Sequence, residues 1–160
     1  IAFSFRKVSK PVSSWKYGLM AIVSLVHDVI IASGIFAFIG FLTGAEVDTL
    51  FVVAILTVLG LSVSDTIVVF DRIRENIRVG QSKTFEETVG HSLNQVYTRS
   101  IITSSTVMIV LLCLVFWGPS STRIFSIVLT AGMFFGTYSS IFLASPLLVI
   151  VNNLQNRKKK

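Results

Sequence analysis

Four long apolar stretches constrain the fold of this chain more than any other feature of its sequence. Three of them contain no charged residue, at 29–45, 100–122 and 124–156, and a fourth, at 49–64, ends at Asp65. A helix that crosses a bilayer needs about 20 mostly apolar residues, and each stretch with its flanks supplies them. Only 14% of the residues are charged, against about a quarter in a soluble domain. Backbone groups in hydrocarbon must be hydrogen-bonded in a helix or a closed barrel, and these runs lack the polar–apolar alternation of barrel strands, so we predict an all-α membrane protein.

The chain divides into spans and connecting segments. Membrane-spanning helices are predicted at 17–42, 49–70, 100–117 and 124–151. The connecting segments are a basic loop at 6–16, external turns at 43–48 and 118–123, an amphipathic connection at 71–99 and a basic tail at 152–160. Residues 1–5 are interpreted as the end of an earlier, truncated helix. Within the connection, Thr84 and Glu87 have the spacing of a capping box, which predicts a surface helix at 85–95.

The basic residues are distributed unevenly about these spans. Of the 14 Lys and Arg residues, 13 precede the first span, lie between the second and third, or follow the fourth. Only Arg123 lies in an external turn. Because cytoplasmic loops carry an excess of Lys and Arg, the basic segments and the C-terminus are predicted to be cytoplasmic. This topology and contact with anionic membrane lipids explain the net charge of +6, and no nucleic-acid-binding motif suggests nucleic acid as a partner.

Asp65 is the only charged residue inside the second span. A carboxylate in the bilayer interior costs about 2.5–3.5 kcal/mol on insertion scales, so its presence is a functional-site hypothesis by default. The neighbouring Ser62, Ser64 and Thr66 make this part of the helix easier to hydrate. Two interpretations are open: a titrating carboxylate on an ion path, or a structural carboxylate held in a salt bridge.

Arg99, at the start of the third span, is the best candidate partner for Asp65. Its guanidinium stays protonated at any relevant pH, so a close approach would favour the charged carboxylate, whereas desolvation would favour the neutral acid. These opposing effects would bring the titration towards neutral pH, as a proton relay requires. Thr103, one turn later, adds a hydroxyl group. The alternative is an interfacial arginine that extends to the lipid headgroups.

His27 and Asp28 form a further polar intrusion, near the middle of the first span. Adjacent side chains point about 100° apart on a helix, so the two are not expected to face one site. Either they hydrate and assist the ion path, or they make a helix-packing hydrogen bond to a neighbouring span.

The fourth span is uncharged, but small residues recur at every fourth position, at Gly132, Gly136, Ser140 and Ala144. Such a stripe lets another helix approach closely. It can serve packing within this chain or against a partner, and the sequence does not separate the two. Pro146 is expected to kink this end of the span. Cys113, the single cysteine, is interpreted as a free thiol in the core.

Four short motifs, in this order, resemble those of one protein family. They are Leu25-Val-His27-Asp28, then Asp65 followed by Phe70-Asp-Arg-Ile-Arg-Glu-Asn76, then Thr98-Arg99-Ser100 with Thr103-Ser104, and last Gly136-Thr-Tyr-Ser-Ser140-Ile-Phe-Leu-Ala-Ser145-Pro146. The chain resembles the SecF family, subunits of the bacterial SecD–SecF protein-export complex in the RND (resistance-nodulation-division) superfamily. Ser64 departs from the pattern, since the family usually has Asn there.

The resemblance implies an RND-type transmembrane helix bundle, of which this chain would hold about four and a half helices of a six-helix unit. A first helix, a large periplasmic domain and most of the second helix would then be missing. The implied partners are SecD, the SecYEG translocon, other Sec accessory membrane proteins and a translocating polypeptide, at the bacterial inner membrane. The implied role is to promote protein export with the proton gradient, or with sodium in some marine bacteria. Asp65 and Arg99 match the family's ion-path residues, and no cofactor or metal is implied beyond the transported H⁺ or Na⁺.

Other functions fit the residues less well. Half of an RND exporter of small molecules or lipids would carry a porter domain in its external loops, and both loops here are tiny. A passive assembly scaffold would tolerate neutralisation of Asp65 without loss of export. An intramembrane enzyme is the weakest alternative, because no nucleophile–base pair or metal-ligand cluster occurs within a predicted span.

Overall fold

The computed structural model describes residues 14–80 and 84–157. Within these ranges the chain forms α1 (Ser14–Thr43), α2 (Thr49–Val79), α3 (Phe85–Trp117), α4 (Ser120–Ser139), a π turn (Ser140–Ala144) and α5 (Ser145–Arg157). The segments long and apolar enough to cross a membrane are Trp15–Thr43, Thr49–Val79, Phe85–Trp117 and Ser120–Leu154. The predicted all-α membrane architecture is confirmed. The predicted truncated helix at 1–5, most of the basic loop at 6–16 and the last residues of the tail lie outside the described residues.

Helices α2 and α3 both extend beyond the predicted spans. α2 continues through 71–79, and α3 begins at Phe85 and enters the third span without a break. The two extensions pack together, because the side-chain amide of Asn76 donates to Ser92 Oγ at 2.8 Å and to Gln95 Oε1 at 2.9 Å. Most of the predicted connection is therefore helical, since a fall in hydropathy marks the edge of a span but does not end a helix.

Capping groups define the ends of these two helices. The Asp48 carboxylate accepts a hydrogen bond from the backbone N–H of Phe51 at 2.8 Å, and α2 ends at Gly80, whose left-handed backbone (φ 69°) favours glycine. The capping box is confirmed, because Thr84 Oγ1 accepts from the Glu87 N–H at 3.2 Å while the Glu87 carboxylate accepts from the Thr84 N–H at 3.3 Å. α3 therefore begins where the sequence predicted.

We expect Thr84→Ala to destabilise the first turn of α3 by about 1 kcal/mol, the usual cost of removing an N-cap side chain. The loss should appear as faster amide hydrogen exchange at 85–88, with exchange in the rest of α3 unchanged. Thr98→Ala, which alters an exposed threonine on the same helix, is the matched control. Equal exchange at 85–88 in the two variants would contradict the capping role.

The stripe of small residues packs against α2. Three pairs face one another along the two helices, and they are Gly132 with Val58, Gly136 with Ser62, and Ser140 with Thr66. A Cβ atom placed on Gly132 would lie only 2.3 Å from Cγ2 of Val58, so only glycine allows this approach. The spacing between partners is constant along the sequence, as expected of helices that run in the same direction. The stripe therefore serves packing within the chain.

A π turn interrupts the fourth spanning segment at Ser140–Ala144 and ends two residues before Pro146. Proline lacks the N–H of the α-helical hydrogen bond, and its ring collides with the carbonyl group four residues earlier, here that of Phe142. The wider turn accommodates one extra residue, and the Ser145 hydroxyl donates to the Ser140 carbonyl at 3.3 Å. The distortion predicted at Pro146 thus takes the form of a π turn.

Two apolar clusters form the core of the bundle. The cluster at the end where α5 lies contains Tyr17, Met20, Ala21, Val69, Phe70, Ile73, Val89, Val96, Ala144 and Leu148. The cluster at the end where α3 joins α4 contains Ala32, Phe36, Ala54, Val58, Leu111, Val128 and Leu129. Cys113 belongs to neither cluster and is exposed, so its interpretation as a core thiol is wrong.

Candidate functional site

A layer of buried polar side chains separates the two apolar clusters, and we call it the polar layer. Its members come from all four spanning segments, and they are Ser24, Asp28, Ser62, Thr66, Ser100, Ser104, Thr137, Ser139 and Ser140. None of them is more than 9% exposed. Buried polar groups require hydrogen-bond partners, and most of these groups bond to one another across helices.

Asp65 lies beside the polar layer and is half-buried on α2. The Ser100 hydroxyl donates to its Oδ1 at 2.9 Å. Its Oδ2 is buried, and no group in the described part of the chain donates a hydrogen bond to it. Burying a carboxylate oxygen without a donor is costly, so this atom needs a partner other than the described protein groups, such as a water molecule, a proton or a cation.

A cavity of about 160 Å³ lies next to Asp65, between α2, α3 and α4. Its polar lining consists of Ser62, Ser64, Asp65, Arg99, Ser100, Thr103, Ser104 and Thr137. This volume is large enough for several water molecules, and hydroxyl groups supply the polar partners that buried water needs. Within residues 14–80 and 84–157 no group of three or more His, Cys, Asp or Glu side chains could hold a metal ion.

Arg99 lines the same cavity as Asp65 but does not pair with it directly. The Arg99 side chain is exposed, and among the described residues no ion pair within 4.0 Å joins the two side chains. The structure thus brings the two predicted ion-coupling residues to one cavity without an ion pair between them. The locked salt bridge considered for Asp65 is not formed.

Asp28 is fully buried within the polar layer. Its Oδ2 accepts hydrogen bonds from the Ser62 hydroxyl at 2.5 Å and from the Ser139 hydroxyl at 2.8 Å, and Ser24 donates to Ser139 at 3.1 Å. Its Oδ1 lies 3.0 Å from Nδ1 of His27. The expectation that His27 and Asp28 face different sites is therefore wrong, because the imidazole is long enough to reach the carboxylate of the next residue.

The predicted supporting hydroxyl groups divide into two kinds. Ser64 and Thr103 are exposed and line the cavity. Ser62 and Thr66 are buried, and each bonds to another member of the polar layer rather than to Asp65. Only the first pair is placed where it could hydrate the Asp65 carboxylate directly, while Ser62 reaches the cavity from within the layer.

The fourth spanning segment contributes more to this site than its sequence indicated. The sequence predicted only packing there, yet Ser139 donates to Asp28, and Thr137 shares a hydrogen bond of 2.7 Å with Ser104. The sequence signal that could have identified these residues is that polar residues occur at about the same level of every spanning segment. Each spanning segment of the structure carries polar residues about one turn apart near its middle, as Ser100 and Ser104 do in Phe85–Trp117.

Comparison with known proteins agrees with this architecture. The family model described as "Protein export membrane protein SecD/SecF, C-terminal" matches residues 12–154. The chain belongs to the SecD/SecF family. Members of that family named "Protein translocase subunit SecF" are similar to it, and the one from Thermobaculum terrenum is 52% identical over 153 residues, covering 96% of this chain and 47% of the relative.

A second SecF, from Sebaldella termitidis, is 44% identical over 147 residues, covering 91% of this chain and 46% of the relative. A solved structure described as "Crystal structure of SecDF in Super-membrane-facing form" superposes with a TM-score of 0.86 at 35% identity, covering 99% of this chain and 20% of that chain. The chain therefore spans about half the length of the SecF relatives that it matches, and it has the fold of a SecDF membrane region.

Proposed function

We propose that this chain is the membrane-spanning part of a SecF subunit that uses an ion gradient to promote protein export through the Sec pathway. The observation that carries the proposal is the Asp65 carboxylate, which lies in a spanning helix beside a hydroxyl-lined cavity with one oxygen unsatisfied. The transported ion is H⁺ or Na⁺, and the proposal requires no cofactor.

The groups around Asp65 can serve both states of an ion cycle. The Ser100 hydroxyl donates to the charged carboxylate, and after protonation of Asp65 it can rotate and accept instead. Uptake of a proton removes the cost of burying a charged Oδ2. Arg99, on the wall of the same cavity, attracts the carboxylate whenever it is charged, so ion release restores a state that Arg99 stabilises.

An ion that crosses the membrane through this cavity could do useful work on export. Moving one elementary charge across 100 mV is worth about 2.3 kcal/mol. This energy drives a conformational change only if the ion-bound and ion-free states prefer different arrangements of the protein. We propose that occupancy of Asp65 sets this preference.

The polar wall of the cavity supports a protein partner beside this chain. Ser64, Arg99 and Thr103 are exposed within or near the span, where contact with hydrocarbon would be costly. We propose SecD as the partner that covers them, in line with the solved relative described as SecDF. The SecYEG translocon, other Sec accessory membrane proteins and a translocating polypeptide complete the proposed assembly, with lipids on the remaining faces.

The proposed location is the bacterial inner membrane, in which the chain is a multi-pass protein with a cytoplasmic C-terminus. The uneven distribution of Lys and Arg supports this orientation. The end of α2, which carries basic residues such as Arg74 and Arg78, would lie on the same cytoplasmic side.

Inverted inner-membrane vesicles test the proposed function. We expect vesicles depleted of this protein to regain export of a Sec-dependent precursor when the full-length protein is supplied. The regained part should disappear when an ionophore collapses the gradient, with ATP held constant. Equal restoration with and without a gradient would identify a passive scaffold and contradict the proposal.

A further inference from the structure

The His27–Asp28 pair has features that helix packing alone does not require. Asp28 is fully buried near mid-span, where a carboxylate is costly. Ser62, Ser139 and His27 surround its two oxygens at hydrogen-bond distance. A hydroxyl or amide side chain could hold the helices together without that cost, so packing alone does not account for a carboxylate in contact with an imidazole here.

The pair can hold one proton in two ways. With Nδ1 of His27 and Oδ1 of Asp28 at 3.0 Å, the proton can reside on the imidazole beside a carboxylate, or on the carboxyl group beside a neutral imidazole. The His27 side chain is 35% exposed, whereas that of Asp28 is not exposed at all. The imidazole therefore joins the enclosed carboxylate to the outer side of α1.

The opposite side of Asp28 leads to the Asp65 cavity. Ser62 donates to Asp28 Oδ2 and also lines that cavity. Gly136 lines the cavity as well, and a Cβ atom on it would lie 3.7 Å from Asp28 Oδ2 and 3.6 Å from Ser62 Oγ. The Ser62 hydroxyl therefore contacts Asp28 on one side and reaches the cavity on the other.

The charged and titratable groups near this route are few. α1 supplies His27, α2 supplies Asp65, and α3 supplies Arg99 at the cavity wall. The fourth spanning segment supplies only hydroxyl groups to the polar layer, and its titratable residue at this level, Tyr138, is exposed. The route between the two carboxylates is therefore formed by hydroxyl groups and the cavity.

We propose that the His27–Asp28 pair is a second proton-binding site, which exchanges protons with the Asp65 cavity through the Ser62 hydroxyl. In one transfer, Ser62 passes its own hydroxyl proton to Asp28 Oδ2 and takes a replacement proton on Oγ from a hydronium ion in the cavity. One O–H bond forms on Asp28, one is renewed on Ser62, and a neutral water molecule is left. The inference rests on the proposed function only in assigning protons to the cavity.

Infrared spectroscopy of the full-length protein in lipid vesicles tests this site without any translocation. In an Asp65→Asn background, we expect a pH titration to produce a carboxylic-acid band that is missing when Asp28→Asn is added. In case Asp28→Asn does not fold, His27→Gln provides a second measurement, since it should shift the pH at which the same band appears. A purely structural Asp28 would give no band that depends on Asp28 and no shift of a band in His27→Gln. That result would overturn the proposal.

The role of Ser62 is tested by the rate at which the Asp28 band responds to a pH jump. Ser62→Ala should slow the response about 100-fold, the lower end of what a positioned proton donor contributes. Thr57→Ala, on the exposed face of the same helix, removes a hydroxyl that bonds only to its own helix and should leave the rate unchanged. An unaltered rate in Ser62→Ala would overturn the route. The proposed function fails separately, if Asp65→Asn retains gradient-dependent export.

Discussion

Asp65→Asn is expected to abolish the gradient-dependent part of export while leaving the protein folded and assembled. Asparagine has nearly the shape of aspartate, and its side-chain oxygen can still accept the hydrogen bond that Ser100 donates at 2.9 Å to Asp65 Oδ1. The asparagine side chain, however, cannot bind and release a proton as a carboxylate does. The buried Oδ2 position would carry an amide group without charge, so one state of the ion cycle would be lost.

The measurement is precursor export into inverted vesicles, compared with and without a gradient. Asp71→Asn is the matched control, because Asp71 lies on the same helix but is exposed beyond the predicted span. Asp65→Glu should retain part of the stimulation of export by the gradient, because it keeps a carboxylate, although one methylene group further from the helix. Wild-type stimulation in Asp65→Asn vesicles would exclude Asp65 as the ion-binding group and leave the cavity without an assigned function.

Gly132→Leu is expected to cause the largest loss of stability of any single change considered for this chain. Even a Cβ atom at Gly132 would lie 2.3 Å from Val58, so a leucine would force α2 and α4 apart. We expect the free energy of unfolding in detergent to fall by about 3 kcal/mol, the upper part of the usual range for overpacking. Separation of these helices would also disturb the polar layer, where Asp28 bonds to both α2 and α4.

Gly60→Leu is the matched control for this prediction. It makes the same chemical change within α2, and no atom lies within 4 Å of a Cβ placed at Gly60. Because the gain in helix propensity is the same in both variants, the difference between them isolates the packing term. A smaller change tests the same contact. Gly132→Ala alone should also lose stability, because its Cβ atom meets Val58, and adding Val58→Ala should recover part of that loss. Equal stability of the two leucine variants would contradict the close approach of α2 and α4.

The sequence predicted the features that depend on one segment at a time. The presence of four spanning helices follows from apolar length, and the start of α3 follows from Thr84 and Glu87. The extension of α2 beyond Phe70 was not predicted, because it depends on contacts of Asn76 with a helix that is distant in sequence.

The features that depend on how helices are rotated against one another could not be predicted in this way. The contact of Ser139 with Asp28 joins the first and fourth spans, and it requires both to present a polar face at the same depth. The separation of Arg99 from Asp65 depends on where α3 enters the bundle. Opposite charge and similar depth predicted that these two side chains lie close together, but they do not determine the last few ångströms between them.

The π turn at Ser140–Ala144 determines which residues of α5 face inwards. One extra residue in a helix rotates everything after it by about 100° relative to an uninterrupted α-helix. With that rotation Leu148 is fully buried in the same cluster as Tyr17 and Phe70. Without it, the angular phase of α5 would change, and Leu148 would turn away from that cluster while a neighbouring position replaced it. The five-residue turn thus keeps two helical segments of different phase inside one continuous membrane crossing.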